Sequence, residues 1–219
     1  MAVTPSISVF IITLNEAAHI REVLQSVAAF DEVIVLDSGS TDGTPEIAAA
    51  MGASVHFQEW LGDSAQKSKA AALCRNEWCL NIDGDEILSP SLVTELQRLA
   101  THTDIAGVKI PINDVILGRP LHKFSRKRKI VRLFRKACGK YPEDRKVHEN
   151  LLIKGTTVQA RGEIRHLGYN SPSVFFAKQI KYAALRAQDK FNAGARGAGI
   201  KLGLIGACTF FKVYLLRGL

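Results

Sequence analysis

The chain has 219 residues, 47% hydrophobic and 23% charged, which is enough to bury a full core and excludes an extended disordered segment. Its formal charge of +8 conceals an asymmetry: residues 1–118 carry 6 Lys and Arg against 16 Asp and Glu, residues 119–219 carry 23 against 5, and the halves stand at −10 and +18. One half is suited to a cation, the other to an anionic acceptor, nucleic acid or membrane surface.

The first element is ISVFIIT, residues 7–13, a continuous β-branched apolar run of the kind a strand covered on both faces requires. Asn15 then stands where it can cap a helix whose apolar positions Ile20, Val23, Leu24 and Val27 follow helical spacing. EVIVLD (32–37) is a second buried strand, SGSTDGT a loop of turn residues, and Pro45 suits the first turn of a short helix. A third strand is expected over 53–57, a helix over 63–75 and a fourth strand over 77–83. This alternation specifies an α/β fold with an open, mainly parallel sheet. The residues after the first strand, TLNEAAH, lack the glycines of a dinucleotide-binding turn, which disfavours that use of the fold. Further on, SPSLVTELQRLA (89–100) reads as a serine-capped helix and IAGVKIPI (105–112) as a strand. The basic half adds strand-like pieces at 129–134 and 156–167 and a helix over 172–192. AGARGAG (193–199) is the one plausible linker, so residues 1–192 are expected to form one domain and 193–219 an appended segment.

Cys74, Cys79, Cys138 and Cys208 show neither CxxC spacing nor a His partner, and they read as reduced thiols of a cytosolic protein. MAVTPSISVF has no basic region before its apolar stretch, so no signal peptide is expected.

In a parallel α/β sheet, ligands bind beyond the carboxyl ends of the strands. That rule gathers Thr13 to Glu16, Asp37 to Asp42, and Asp83 to Glu86 on one rim. NIDGDE (81–86) sets three carboxylates around a glycine at the mouth of a buried strand, and Asp37 ends another. So many carboxylates on one edge repel unless a hard divalent cation sits among them, and Mg2+ or Mn2+ characteristically combines one or two carboxylates with phosphate oxygens. The implied ligand is a metal-bound diphosphate.

TLNE after the first strand, VLDSGSTDGT after the second, QK at 66 and 67, and NIDGDE together resemble the family 2 glycosyltransferases of GT-A fold. RLF (132–134), VHE (147–149), RHLGY (165–169) and KQIKYA (178–183) resemble more narrowly the lipopolysaccharide core β-glucosyltransferase branch. The resemblance covers about residues 5 to 190 and implies a Rossmann-like sheet flanked by helices with a basic C-terminal helical extension. It divides the domain into a nucleotide-sugar half, 1–118, and an acceptor half, 119–192. It implies that Asp37 holds the uracil or ribose of a UDP-sugar, that Thr13, Asn15 and Glu16 line the base pocket, and that Asp42 supports it. Gln66 and Lys67 match a pair near the donor, Asp83 a residue near ribose and metal, and Asp85 the metal ligand. Glu149 matches an acceptor-side carboxylate, the general base. One base without a second nucleophile implies a single inverting displacement.

His166 is either a metal or phosphate contact or a structural histidine. RKRK (126–129) suits equally an acceptor bearing phosphates, such as a lipopolysaccharide inner core, and an anionic cytoplasmic leaflet. Leu202 to Phe211 is too short an apolar run to span a bilayer, and residues 200–218 read as an interfacial helix or a last core helix. The expectation is a hexosyltransferase, with glucose the favoured sugar, peripheral on the inner face of a bacterial cytoplasmic membrane. A polyprenyl phosphate acceptor is the alternative. A nucleic-acid-binding module is disfavoured, because RKRK lacks interleaved aromatics.

Overall fold

The computed structural model describes residues 5–116, 118–121, 125, 127–142 and 151–169, with isolated positions between 180 and 194. Glu149, His148, the linker 193–199 except Gly194, and the tail 200–218 lie outside the described residues, and the helix expected over 172–192 is described only at isolated helical positions such as Ile180 and Phe191.

The acidic half follows the expected alternation: β1 (Ile7–Thr13), α1 (Ile20–Val27), β2 (Glu32–Asp37), α2 (Thr44–Ala50), β3 (Ser54–Phe57), α3 (Asp63–Leu73) and β4 (Trp78–Asp83). A tight turn leads to β5 (Glu86–Leu88), followed by α4 (Pro90–Ala100) and the long β6 (Gly107–Ile116). The basic half supplies β7 (Arg119–Pro120), β8 (Arg128–Arg135), β9 (Gly139–Lys140), β10 (Leu152–Ile153), β11 (Thr157–Gln159) and β12 (Ile164–Tyr169).

The helices form for the reasons their sequences give. In α1 the apolar positions Ile20, Val23, Leu24 and Val27 are all buried on one face, each contributing about 1.5–3 kcal/mol. In α4 the Ser89 hydroxyl accepts the Leu92 amide at 3.3 Å, and Pro90 occupies the first turn. Asn15 does not cap α1. It adopts a left-handed φ of 57° and accepts the Thr41 amide instead, while α1 starts from His19 without a side-chain cap.

The main sheet runs β3-β2-β1-β4-β8-β6-β12-β5. β3, β2, β1 and β4 are mutually parallel; β8 is antiparallel to both β4 and β6; β12 is parallel to β6, and β5 antiparallel to β12. Six of these eight strands therefore point the same way. β5 follows β4 by two residues in the chain yet closes the far end of the path, so the stretch from β4 to β5 must curl until its ends meet at Asp83 to Glu86. One core cluster joins α1, α4 and one face of the sheet; the other packs Ala70, Ala71 and Cys74 at the end of α3 against Phe10, Cys79 and Phe134. The single strand expected over 156–167 is two, β11 and β12, both paired with β6. The chain breaks between them at Gly162, where a Cβ would lie 2.9 Å from that of Leu92, and Glu95 accepts the Arg161 and Gly162 amides.

From β1 the chain moves outward through β2 to β3, then crosses back to β4 on the other side of β1. The strand order thus reverses beside β1, and such a switch point opens a crevice at the carboxyl edge. Register places Thr13 opposite Asp37 and Ile12 opposite Asp83 there.

Candidate functional site

Three loops meet at this crevice. The first two are laced together. Asp37 is buried at the end of β2; its Oδ2 accepts the Gly39 and Ser40 amides at 2.9 and 2.8 Å, and its Oδ1 accepts the hydroxyls of Thr13 at 3.1 Å and Ser40 at 2.5 Å. Ser40 Oγ accepts the Asn15 amide, and Thr44 Oγ1 accepts that of Glu16. Asp42 accepts the Ala17 amide and the Thr44 hydroxyl and amide, and these bonds, that of the Thr44 hydroxyl foremost, lower its pKa. Asp37 and Asp42 therefore shape the rim by holding backbone.

Gln66 is fully buried. Its amide donates to Ser38 Oγ at 3.0 Å and to the Gln58 carbonyl at 3.1 Å, which ties α3 to the β2 and β3 loops. Lys67, one residue on, reaches Asp83 Oδ1 at 3.3 Å.

The third loop is the turn between β4 and β5. Gly84 is needed there for room: a Cβ would lie 2.8 Å from Glu16 Cγ and 3.2 Å from Thr13 Cγ2, so the TLNE loop rests directly on the turn. The two aspartates that flank it separate. Asp83 pairs with Lys67 and with Arg132 of β8, whose guanidinium also donates to Asn81 Oδ1 at 2.7 Å and Glu86 Oε1 at 2.5 Å. Glu86 Oε2 in turn accepts the Asp83 amide. Burial resists charge on Asp83, but the Arg132 and Lys67 cations outweigh it and hold its carboxyl far below the usual range. Burial pushes the Glu86 carboxyl up, opposed by Arg132. The carboxylates gathered on this rim are thus answered in part by protein cations, where the sequence suggested a metal alone.

Asp85, 9% exposed, turns the other way, toward β12. Its Oδ2 lies 3.3 Å from His166 Nε2, and its carbonyl accepts the Leu167 amide. His166 Nδ1 lies 2.7 Å from Asp114 Oδ1 of β6, and Asp114 is also paired with Arg128. Burial disfavours the imidazolium, yet the bonds to Asp114 and Asp85 raise the His166 pKa to about 10. Gly168 leaves open the space beside the pair, since a Cβ there would lie 2.7 Å from His166 Nε2 and 3.0 Å from Asp85 Oδ2.

A carboxylate and an imidazole facing each other, with a second carboxylate behind the imidazole, become a donor set and outer support for a divalent cation once the imidazolium gives up its proton on binding. Among the described residues no group of three or more His, Cys, Asp or Glu converges on one point. A cation carried by a diphosphate takes only one or two protein ligands, a number that this pair matches.

The structure therefore brings together Thr13, Asn15, Glu16, Asp37, Asp42, Gln66, Lys67, Asp83, Asp85 and His166 around one crevice, while Glu149 lies outside the described residues. Sequence reasoning gave no role to Arg132, Asp114 or Gly168. A lone arginine inside the apolar run KIVRLF was the available signal for the first, because a charge in a buried strand must find a partner. Asp114 carries no local signal: it meets His166 only through the β6–β12 register.

Residues 8–156 match the model of the family described as glycosyl transferase family 2. The lipopolysaccharide core biosynthesis glycosyltransferase LpsC of Rhizobium meliloti (strain 1021) is 32% identical over an alignment covering 97% of this chain and 82% of its own length. A glycosyltransferase of Rickettsia felis is 35% identical, with 96% and 79% covered. In a solved structure of glucosyl-3-phosphoglycerate synthase from Mycobacterium tuberculosis with Mn2+, UDP-glucose and phosphoglyceric acid, 33% identity covers 49% of this chain and 44% of that one at a TM-score of 0.44, a likeness too partial to assign anything here. On the family match over residues 8–156 and the Rhizobium meliloti and Rickettsia felis relatives, the chain belongs to glycosyltransferase family 2.

Proposed function

We propose that this glycosyltransferase moves a hexose, glucose first among candidates, from a UDP-sugar to a lipopolysaccharide inner-core acceptor, with inversion and with Mg2+ or Mn2+ held by Asp85 and His166. The observation that carries the reading is the Asp85–His166 pair at the switch point, backed by Asp114 and left accessible by Gly168. When bound, the cation supplies Lewis-acid neutralisation of the departing nucleoside diphosphate.

The chain's own residues do the rest. Asp37 and Asp42 hold the loops that present Thr13, Asn15 and Glu16 to the base, and Gln66 fixes α3 so that Lys67 stands beside Asp83 at the ribose and diphosphate. Glu149 removes the proton of the acceptor hydroxyl, and with one base and no second nucleophile the displacement inverts the anomeric carbon. The acceptor reading is supported by the place of the Rhizobium meliloti relative in lipopolysaccharide core biosynthesis and by the +18 charge of residues 119–219, which suits a phosphorylated glycolipid and not a neutral glycan. The enzyme works at the inner face of the cytoplasmic membrane, held peripherally by RKRK and by the segment 193–219, and takes no nucleic acid. Among the described residues no helix is long and apolar enough to cross a membrane.

Donor competition tests this reading. UDP-glucose, UDP-galactose and GDP-mannose are titrated calorimetrically with Mn2+ present, and the product's anomeric configuration is read by NMR after incubation with a truncated lipopolysaccharide core. Selective binding of UDP-glucose and a β-linked product are expected. Preference for GDP-mannose, or retention of configuration, contradicts it.

A further inference from the structure

The assigned roles leave unused a charge buried in the interior, the Arg132 guanidinium. Its side chain is 5% exposed, and it makes three hydrogen bonds: to Asn81 and Asp83 on β4 and to Glu86 on β5. Asp83 and Glu86 are the two ends of the turn that carries Asp85. Arg132 spans both, from a strand in the other half of the chain.

The backbone is bent to allow this. Along β6 and β8, Val108 pairs with Leu133 and Lys109 with Val131, so Arg132 is an extra residue at a bulge. Ile130 and Leu133 join one core cluster while Val131 and Phe134 join the other, an assignment that simple alternation over 130–134 does not give. The bulge keeps the apolar residues on their own faces and frees Arg132 to reach the turn.

A buried ion cluster of this kind is weak as a source of stability, because desolvation offsets most of the attraction. Its geometric content is stronger: a planar fork against two carboxylates fixes their separation and orientation. We infer that Arg132 is a positioning residue that sets the Asp83–Glu86 turn so that Asp85 meets His166 at the spacing the donor-bound cation needs. This rests on the donor-site reading above. It also gives the basic half a part in building the donor site, separate from any acceptor contact.

The test uses the full chain as wild type, Arg132→Lys, Arg132→Met, and the charge-balanced pair Arg132→Met with Glu86→Gln, which keeps Lys67 opposite Asp83 in case the single removal fails to fold. Three quantities are read: thermal midpoint, amide hydrogen exchange across 83–86 without ligand, and Mn2+ binding in the presence of UDP by electron paramagnetic resonance. The expected result for the balanced pair is a folded protein whose turn amides exchange at least about tenfold faster while those of α4 do not, and whose Mn2+ dissociation constant rises about 10- to 100-fold. Arg132→Lys keeps the charge but not the fork, so it should fall between. A folded variant that binds Mn2+ and UDP like wild type, or whose turn exchanges no faster, overturns the inference alone. Wild type that binds no Mn2+ with UDP overturns the donor-site reading and the inference with it.

Discussion

Two carboxylates at the ends of β2 and β4, the buried strands on either side of β1, do opposite things. Asp37 at the end of β2 is saturated, with two backbone amides on one oxygen and two hydroxyls on the other. Asp85, just past the end of β4, faces a histidine at 3.3 Å across a space that Gly168 keeps clear. In sequence both read as an aspartate that follows an apolar strand within two residues of a glycine. The difference lies in what surrounds them: a loop of Ser, Gly and Thr folds back onto Asp37, while the Asp85 turn is pressed from beneath by Glu16 and held open from the side by Arg132. A closed carboxylate builds a loop; an open one is free to serve a ligand.

The sharpest way to break this contrast is to remove each member. Asp85→Ala should reduce metal-dependent UDP-sugar binding and turnover by at least about 100-fold with little change in melting temperature, since among the described residues the carboxylate has one side-chain partner to lose. Asp37→Asn should do the reverse. An amide NH2 would face hydroxyl or amide donors, costing about 1–3 kcal/mol in denaturant unfolding before any effect on metal. Equal stability losses for the two would erase the distinction.

Behind Asp85 the effects should be smaller and graded. Asp114→Asn weakens the hold on His166 Nδ1, and metal affinity should fall by about 10- to 100-fold. The pH dependence has a definite sign. The folded-state pKa of His166 is raised to about 10 from an ordinary value near 6.5, by bonds to Asp114 and Asp85 that outweigh burial. Its contribution to the stability of the metal-free protein is therefore complete below pH 6.5 and is lost as pH rises toward 10. Chemical denaturation of the metal-free protein across that window should show the decline in wild type and not in His166→Gln. The smallest effect belongs to a cap far from the site: Ser89→Ala should cost about 1 kcal/mol through α4 and leave metal binding unchanged.

The acidic half was legible in sequence because its signals are local. Continuous apolar runs gave β1, β2 and β4 nearly to the residue, and Ser89 and Pro45 marked their helices. Asp85 and His166, 81 residues apart, were both named from sequence as candidate metal contacts, but their direct pairing was not legible, since it depends on β12 pairing with β5 after the sheet curls. The same curl hid the Asp83–Arg132–Glu86 cluster, and so the rim's charge was assigned wholly to a metal. Asn15 shows a local rule overridden: as good a helix cap as the sequence offers, it is drawn into a left-handed turn by the Thr41 amide. Gly84 carries a constraint that no local signal announces, the close approach of Glu16.

The central claim is that Asp85 and His166 together receive the metal-bound diphosphate. Calorimetric titration of UDP into wild type, Asp85→Ala and His166→Gln, each with Mn2+ and again with EDTA, tests it most directly. The account predicts tight binding to wild type that EDTA abolishes and that each substitution weakens to near the EDTA level. Metal-dependent binding that survives both substitutions would contradict it.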